Sequence, residues 1–185
     1  PVPFVYNFPF FSIFICMISG IVTPLLKNGR WAYRLSLFAS GAGLLLSGVL
    51  LGRIGSANES FSFMMGHFPA PWGNELSVGP LEAVLGTAVC LVMMMALLGG
   101  SRDIFEDVLP EKQKLYFIMM DEILAALLAL TYTNDIFTAY VFIEISTIAA
   151  CAIVMAKDAS ATLVATMRYL IMSLLGSGLV LIGIV

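Results

Sequence analysis

Residues 136–156 read IFTAYVFIEISTIAACAIVMA, and this stretch decides the fold class of the chain. A single ionisable carboxyl, that of Glu144, lies near its centre. At a rise of about 1.5 Å per residue, a helix of this length crosses the hydrocarbon core of a bilayer. A charged carboxylate at that depth costs about 3 kcal/mol on insertion scales. We therefore expect Glu144 to face the interior of a helix bundle or a water path.

Three other side chains share the predicted helix face that carries Glu144. Tyr140 precedes Glu144 by one turn, and Thr147 and Cys151 follow it by one and two turns. A hydroxyl on either side of the carboxyl could hydrogen-bond it or hold water beside it. This arrangement is typical of a proton relay, and the alternative is a glutamate that only hydrogen-bonds a neighbouring helix.

The composition of the whole chain indicates a membrane protein. Of its 185 residues, 60% are hydrophobic and 11% are charged, whereas soluble domains have about 25% charged residues. Five further apolar runs are long enough to cross a bilayer, so we predict an all-α, polytopic transmembrane helix bundle with six spans. It forms a single transmembrane domain, residues 1–185. The predicted helices cover residues 4–26, 33–52, 80–100, 115–133, 136–156 and 164–185.

The basic residues predict the orientation of the spans. Only Arg53 lies at the end of the predicted bundle that faces outward when the N-terminus is outside. The positive-inside rule therefore places the N-terminus outside and the opposite, basic end in the cytoplasm. The residues at that basic end are Lys27, Arg30, Arg34, Arg102, Lys112, Lys114, Lys157 and Arg168.

Residues that bind metals or cofactors are scarce. Cys16, Cys90 and Cys151 lie inside apolar runs without CxxC spacing, so we expect them to be small packing residues. His67 has no second histidine or cysteine near it. We expect no metal and no cofactor, and the lack of a basic patch argues against a nucleic-acid partner.

The longest connection follows Arg53 and holds two segments with the pattern of a β-hairpin. FSFMMGHF at 61–68 and ELSV at 75–78 could pair on the outer surface, with turns rich in proline and glycine and Trp72 between them. The loop could dock a partner, or it could only cover the end of the helix bundle. On the basic side, SRDIFEDVLPEKQK at 101–114 reads as a solvated, amphipathic connector.

Three further charges lie inside predicted spans. Asp121 and Glu122 are about two turns into the fourth helix, and Arg168 is about one turn into the sixth, from the same end. Their similar depth predicts an ion pair between Arg168 and one of the two acids. The alternative is that the arginine extends to the interface on its own. Glu82, near the other end of the third helix, is typical of a wet interfacial carboxylate.

These residues resemble a known family. YTNDIFTAYVFIEISTIAACAIVMA at 132–156 is similar to the fourth-to-fifth-helix segment of the antiporter-like subunits of respiratory complex I, Mrp-type Na⁺/H⁺ antiporters and membrane-bound hydrogenases. ATMRYL at 165–170 resembles the basic-aromatic pair of the family's sixth helix. FPAPWGNELSV at 68–78 is closer to the outer loop of the Mrp and hydrogenase branch. The resemblance covers residues 65–185 well and the first helix weakly.

The chain also departs from the family pattern. Gly79 stands where the family has an acid before the third helix, and Asp121 and Glu122 replace positions that are commonly apolar. The resemblance implies that Glu144 pairs with a lysine on a seventh helix, which these 185 residues do not contain. We therefore expect the sequence to be the N-terminal part of a longer subunit, half of a split one, or a degenerate member kept for architecture.

The resemblance implies a proton- or Na⁺/H⁺-translocating subunit of a multi-subunit complex in a bacterial or archaeal cell membrane. Glu144 would be the relay, supported by Tyr140, Thr147 and Cys151. Other membrane subunits, the lipid bilayer and H⁺ or Na⁺ are the expected partners. A structural, non-transporting membrane subunit is the alternative. An intramembrane enzyme is disfavoured because the sequence has no Ser-His pair and no metal ligands.

Overall fold

A computed structural model of the protein describes residues 4–57, 60–64, 75–157 and 160–184. Helices dominate it, and six segments are long and apolar enough to cross a membrane. The chain is thus a multi-pass membrane protein with an all-α bundle. In chain order the elements are α1 (Phe8–Val22), α2 (Gly29–Ala57), β1 (Phe61–Met64), β2 (Glu75–Val78), α3 (Pro80–Gly99), α4 (Ser101–Asp107), α5 (Gln113–Tyr132), α6 (Ile136–Met155) and α7 (Ser160–Ile184).

Proline and polar residues set the helix ends. Pro9 lies in the first turn of α1 and Pro80 opens α3, where a missing backbone N–H leaves no hydrogen bond unmade. Short 3₁₀ turns flank α1, and Pro24 belongs to the one that follows it. The turn between α5 and α6 is only residues 133–135, so these helices form a tight hairpin.

The helices differ from their predicted ranges mainly at their ends. The largest difference is in α2, which begins at Gly29 and extends to Ala57, beyond the predicted 33–52 at both ends. Arg53 is therefore on the last turns of α2 and not in a loop. The connector after α3 contains a short helix of its own, α4.

The predicted β-hairpin is present. β1 and β2 pair antiparallel, with Phe61 opposite Val78 and Met64 opposite Glu75. The Asn134 amide donates to the Glu75 carbonyl at 2.9 Å, which ties the hairpin to the turn between α5 and α6. The intervening residues 65–74, with His67 and Trp72, lie outside the described residues. We call this end of the bundle the hairpin end, and the opposite end, with Lys27, Arg30 and Lys157, the basic end.

Helix α5 is the centre of the bundle. It packs against α1, α2, α3 and α6, while α7 packs mainly against α6. Its buried face consists of Phe117, Asp121, Leu124, Ala125, Ala126, Leu128, Ala129 and Tyr132. At the basic end, the rings of Tyr33, Phe105 and Phe117 lie within about 6 Å of one another, which fixes α4 against α2 and α5.

The outer helices keep much apolar surface. Of the described side chains of α7, Met172, Leu179 and Ile182 are more than 70% exposed. Exposed apolar side chains also line α6, among them Ile136, Ile148 and Val154. Such surface suits contact with lipid tails or with other membrane helices.

Candidate functional site

The start of α6 is fixed by its N-cap. Asp135 accepts hydrogen bonds from the Thr138 amide at 2.9 Å and from the Phe137 amide at 3.4 Å. The Thr138 hydroxyl also donates to the same carboxylate. These bonds lower the pKa of Asp135, and the bond from the Thr138 side chain has the largest effect. The cap fixes where α6 begins, and thereby the depth of Glu144 in the bundle.

Glu144 lies near the middle of α6, about 12 Å along the axis from its first residue. Both of its carboxyl oxygens are covered by protein atoms. Neither oxygen has a hydrogen-bond partner in the part of the chain that the structure describes. A covered, unbonded carboxylate is costly, because it has lost its hydration without gaining a replacement. The group is thus suited to carry a proton, or to meet a water molecule or a cation that restores its charged form.

The polar side chains predicted to share a helix face with Glu144 do not all contact its carboxyl. Thr147 donates its hydroxyl to the Ile143 carbonyl at 2.9 Å and not to the carboxyl. Tyr140 is half-buried, with its ring beside that of Phe137, and it does not bond Glu144 either. Cys151 is buried two turns further toward the basic end. Of the two expected roles, a direct hydrogen bond from a neighbouring hydroxyl is not found among the described residues, because Thr147 satisfies its donor on its own helix.

An open groove lies between α6 and α7 on the basic side of Glu144. Its volume is about 400 Å³, and Cys151, Thr166 and Tyr169 are among its lining residues. Cys151 belongs to the same helix face as Glu144, so the groove reaches to within two turns of the carboxyl. Its lining is mostly apolar, and the Thr166 hydroxyl donates to the Thr162 carbonyl of its own helix.

Asp121 occupies a different part of the bundle. It is only 2% exposed, and its Oδ2 accepts hydrogen bonds from Ser19 of α1 at 2.6 Å and from Ser36 of α2 at 3.0 Å. Glu122, the next residue, is half-buried against Gly20 of α1. Both acids belong to the part of α5 that faces α1 and α2.

The predicted ion pair between Arg168 and these acids is wrong. Arg168 is exposed on α7, and it forms no ion pair with any residue that the structure describes. The reason is packing: Asp121 points toward α1 and α2, whereas α7 packs mainly on α6. Similar depth is not enough when two side chains lie on different sides of a bundle. Within the described residues, the long-range ion pair is Asp107 with Lys157, at the surface.

Ser19 and Ser36 are not among the predicted site residues. Serine recurs on α2 at 36, 40 and 47, one helix face, and all three are buried. That periodicity is the signal from which a polar seam could be predicted. Among the described residues, no group of three or more His, Cys, Asp or Glu side chains is placed to hold a metal ion.

Comparison with known proteins identifies similar chains. No family model matches. The chain is 28% identical over 176 residues to NADH-quinone oxidoreductase subunit N of Desulforudis audaxviator, covering 93% of this chain and 34% of that protein. It is 23% identical over 179 residues to a Na⁺/H⁺ antiporter subunit of Bacillus subtilis, covering 96% of this chain and 36% of that protein. These relatives confirm the predicted resemblance to antiporter-like subunits.

Solved structures share the fold. A chain of the Mrp complex from Dietzia sp. superposes with a TM-score of 0.85 at 14% identity, over 98% of this chain and 34% of that one. A chain of the membrane-bound sulfane sulfur reductase, an archaeal respiratory membrane complex, gives a TM-score of 0.78 at 21% identity, over 97% and 35%. The chain spans about a third of the length of the curated relatives it matches.

Proposed function

We propose that this chain is part of an ion-translocating, antiporter-like subunit of a multi-subunit complex in a bacterial or archaeal cell membrane, with Glu144 as its proton relay. The observation that carries the proposal is the state of the Glu144 carboxyl. Both oxygens are covered and unbonded in the middle of a spanning helix. A side chain that only holds two helices together would be hydrogen-bonded to one of them.

The environment of Glu144 favours a proton over Na⁺ as the ion that binds there. Na⁺ is a hard cation and needs several oxygen ligands at once, as other hard cations do. Among the described residues, no polar group contacts the Glu144 carboxyl closely enough to hydrogen-bond it, so a set of oxygen ligands is not assembled there. A proton needs only one carboxyl oxygen and a transient hydrogen-bond partner, such as a water molecule, that delivers or removes it.

The relay also needs a partner whose charge acts on the glutamate. A lysine or arginine close to Glu144 stabilises the carboxylate, and its withdrawal favours the protonated acid. Among the described residues, none forms an ion pair with Glu144. We assign this cation to a neighbouring subunit or to residues outside these 185.

A structural, non-transporting subunit is the second candidate. The specific observation in its favour is the same lack of a basic partner for Glu144 within the described chain. The two candidates differ in what happens when the carboxyl is removed. A structural subunit needs the glutamate for folding or assembly at most, and a relay needs it for flux.

The test compares E144Q with E106Q in membrane vesicles that contain the assembled complex. Glu106 is an exposed glutamate of α4, paired with Arg102 at 2.9 Å, and serves as the matched control. We expect E144Q to assemble in normal amounts while proton translocation falls by about ten-fold or more, because Glu144 is the carboxyl residue of α6 and glutamine does not ionise. E106Q should translocate as the wild type does. Normal translocation by E144Q would favour the structural candidate.

A further inference from the structure

Asp121 belongs to a site that the proposed relay does not use. Three helices meet there: α5 supplies the carboxyl, α1 supplies Ser19 and α2 supplies Ser36. Both hydroxyls donate to the same oxygen, Oδ2, at 2.6 and 3.0 Å. Asp121, Ser19 and Ser36 are each 3% exposed or less. The arrangement is that of an acceptor group held at a fixed point between three spans.

No cation balances this carboxyl in the described part of the chain. The titratable groups that face it are Glu122 on its own helix and Cys16 on α1, and both are acids. From α2 the neighbour is a neutral serine. Two hydroxyl donors replace part of the lost hydration of a carboxylate, but they do not neutralise its charge. A carboxyl in these surroundings gains from taking up a proton, because the neutral acid needs no counter-ion.

We propose that Asp121, held by Ser19 and Ser36, is a second proton-binding site of this chain, separate from Glu144. The chemistry is a reversible proton transfer: one carboxylate oxygen gains H⁺ from hydronium, whose O–H bond breaks to leave water, and later returns the proton to water by the reverse step. The inference rests on the proposed function in that the proton is part of the translocated flux. Its carboxyl lies on α5 and faces α1 and α2, whereas the relay uses a carboxyl on α6.

The geometry fits a proton and not a metal cation. The two serine oxygens lie at hydrogen-bonding distance from Oδ2, so their hydrogens occupy the space in which a shared cation would sit. A site for Na⁺ would hold its oxygens further apart, around an ion that each of them contacts.

A polar seam continues from Asp121 toward the hairpin end. On α2, Ser36 is followed by Ser40 and Ser47 on the same buried face. On α5, Tyr132 lies three turns beyond Asp121, at the same separation as Ser47 from Ser36. Its hydroxyl is fully buried and has no hydrogen-bond partner among the described residues, and it points at Gly86.

Polar neighbours surround that end of the seam. Ser47 and Cys90 lie close enough to act on the Tyr132 hydroxyl electrostatically, and their own Oγ and Sγ atoms are 4.0 Å apart. A buried phenol without a hydrogen-bond partner keeps an unused donor and acceptor beside a serine and a thiol. The seam thus has the Tyr132 hydroxyl toward the hairpin end and the Asp121 carboxyl nearer the basic end.

The test is infrared spectroscopy of the whole complex in membranes, recorded as a pH titration, with proton translocation measured on the same preparation. Wild type should show a carboxylic acid C=O band that appears on acidification and is lost in D121N. The matched control E122Q removes the neighbouring acid and should keep the band. The double variant S19A/S36A should keep the band at a higher frequency, because two hydrogen bonds to the carboxyl are gone. Translocation by D121N should fall about ten-fold.

The outcomes separate this site from the relay. A wild-type-minus-D121N difference spectrum without a C=O band, or a band that is lost only in E122Q, would overturn the proposal. So would normal translocation by D121N, even if E144Q is inactive and the proposed function stands. Suppression of the band by Na⁺ at fixed pH would identify a cation site instead. Loss of flux in D121N with normal flux in E144Q would support Asp121 and contradict the relay at Glu144.

Discussion

Glu144 and Asp121 are both carboxyls inside spanning helices, and their hydrogen bonds differ. Asp121 has two serine donors from two other helices, whereas the covered oxygens of Glu144 have none among the described residues. The bonded carboxyl is fixed at one point. The unbonded one gains most from an arriving charge or water, because it has no interaction to give up. This difference favours Glu144 as the carboxyl that responds more strongly to an arriving cation.

The first prediction concerns Thr147, one turn from Glu144. Its hydroxyl bonds the Ile143 carbonyl, so removing it leaves the carboxyl as it is. T147V should therefore translocate protons at close to the wild-type rate, within about two-fold, since a change without a lost contact costs little. Flux in vesicles measures this, with E144Q as the inactive reference. A loss in T147V as large as in E144Q would show that the hydroxyl serves the relay directly.

At the scale of single elements, the cap of α6 has a measurable effect. D135A removes the hydrogen bonds to Phe137 and Thr138 and should lower the free energy of unfolding by about 0.5–2 kcal/mol. D135N keeps an acceptor and should lose much less. Thermal unfolding in detergent compares the two variants. Equal stability of D135A and wild type would mean that the cap does not hold the start of α6.

The same cap predicts a pH dependence. The pKa of Asp135 is lowered by its bonds to Thr138, so the native state favours the carboxylate. Its contribution is fully present above the unfolded-state pKa of about 3.9 and is lost as the pH falls through the lower native value. The stability difference between wild type and D135N should therefore shrink in acid. A difference that grows on acidification would contradict the assignment.

The contact between α3 and α5 depends on one glycine. A Cβ on Gly86 would lie 2.9 Å from Cζ of Tyr132 and still closer to its hydroxyl, and the ring is fully buried. G86A should destabilise the protein by about 1–3 kcal/mol because the core there has no free space. G48A is the matched control on α2, where an added Cβ meets nothing within 4 Å.

A second substitution tests the cause of that effect. Y132F removes the hydroxyl that the new methyl group meets first, so G86A/Y132F should recover part of the stability lost in G86A. The measurement is thermal unfolding of all four variants in the same detergent. If G86A is as stable as G48A, the close approach of the two helices at Gly86 is not present in solution.

For the whole molecule, the sequence was sufficient for some features and not for others. Six spans and the β-hairpin followed from length, hydropathy and turn residues, which act locally along the chain. The partners of Asp121 did not, because they depend on which helices pack together and how each is rotated. Serine also bonds its own helix, as Ser40 does to Leu37, so its type alone does not identify a site. The predicted ion pair of Arg168 with Asp121 or Glu122 was wrong for the same reason, because it also depends on which helices pack together.

The fold places the two carboxyls on different helices. Asp121 faces α1 and α2, and Glu144 belongs to α6, which packs on α5 and α7. The exposed apolar sides of α6 and α7 leave room for further membrane helices next to Glu144. Such helices are where we place the cation that completes the relay.

Proton flux through the reconstituted complex, compared between E144D and E144Q, tests the central claim most directly. Aspartate keeps an ionisable carboxyl at nearly the same point, whereas glutamine keeps the shape and removes the ionisation. At matched amounts of assembled complex in liposomes, we predict that E144D retains a measurable share of the wild-type flux. We predict that the flux of E144Q falls by about ten-fold or more. Equal flux in E144Q and wild type would contradict the assignment of Glu144 as the relay.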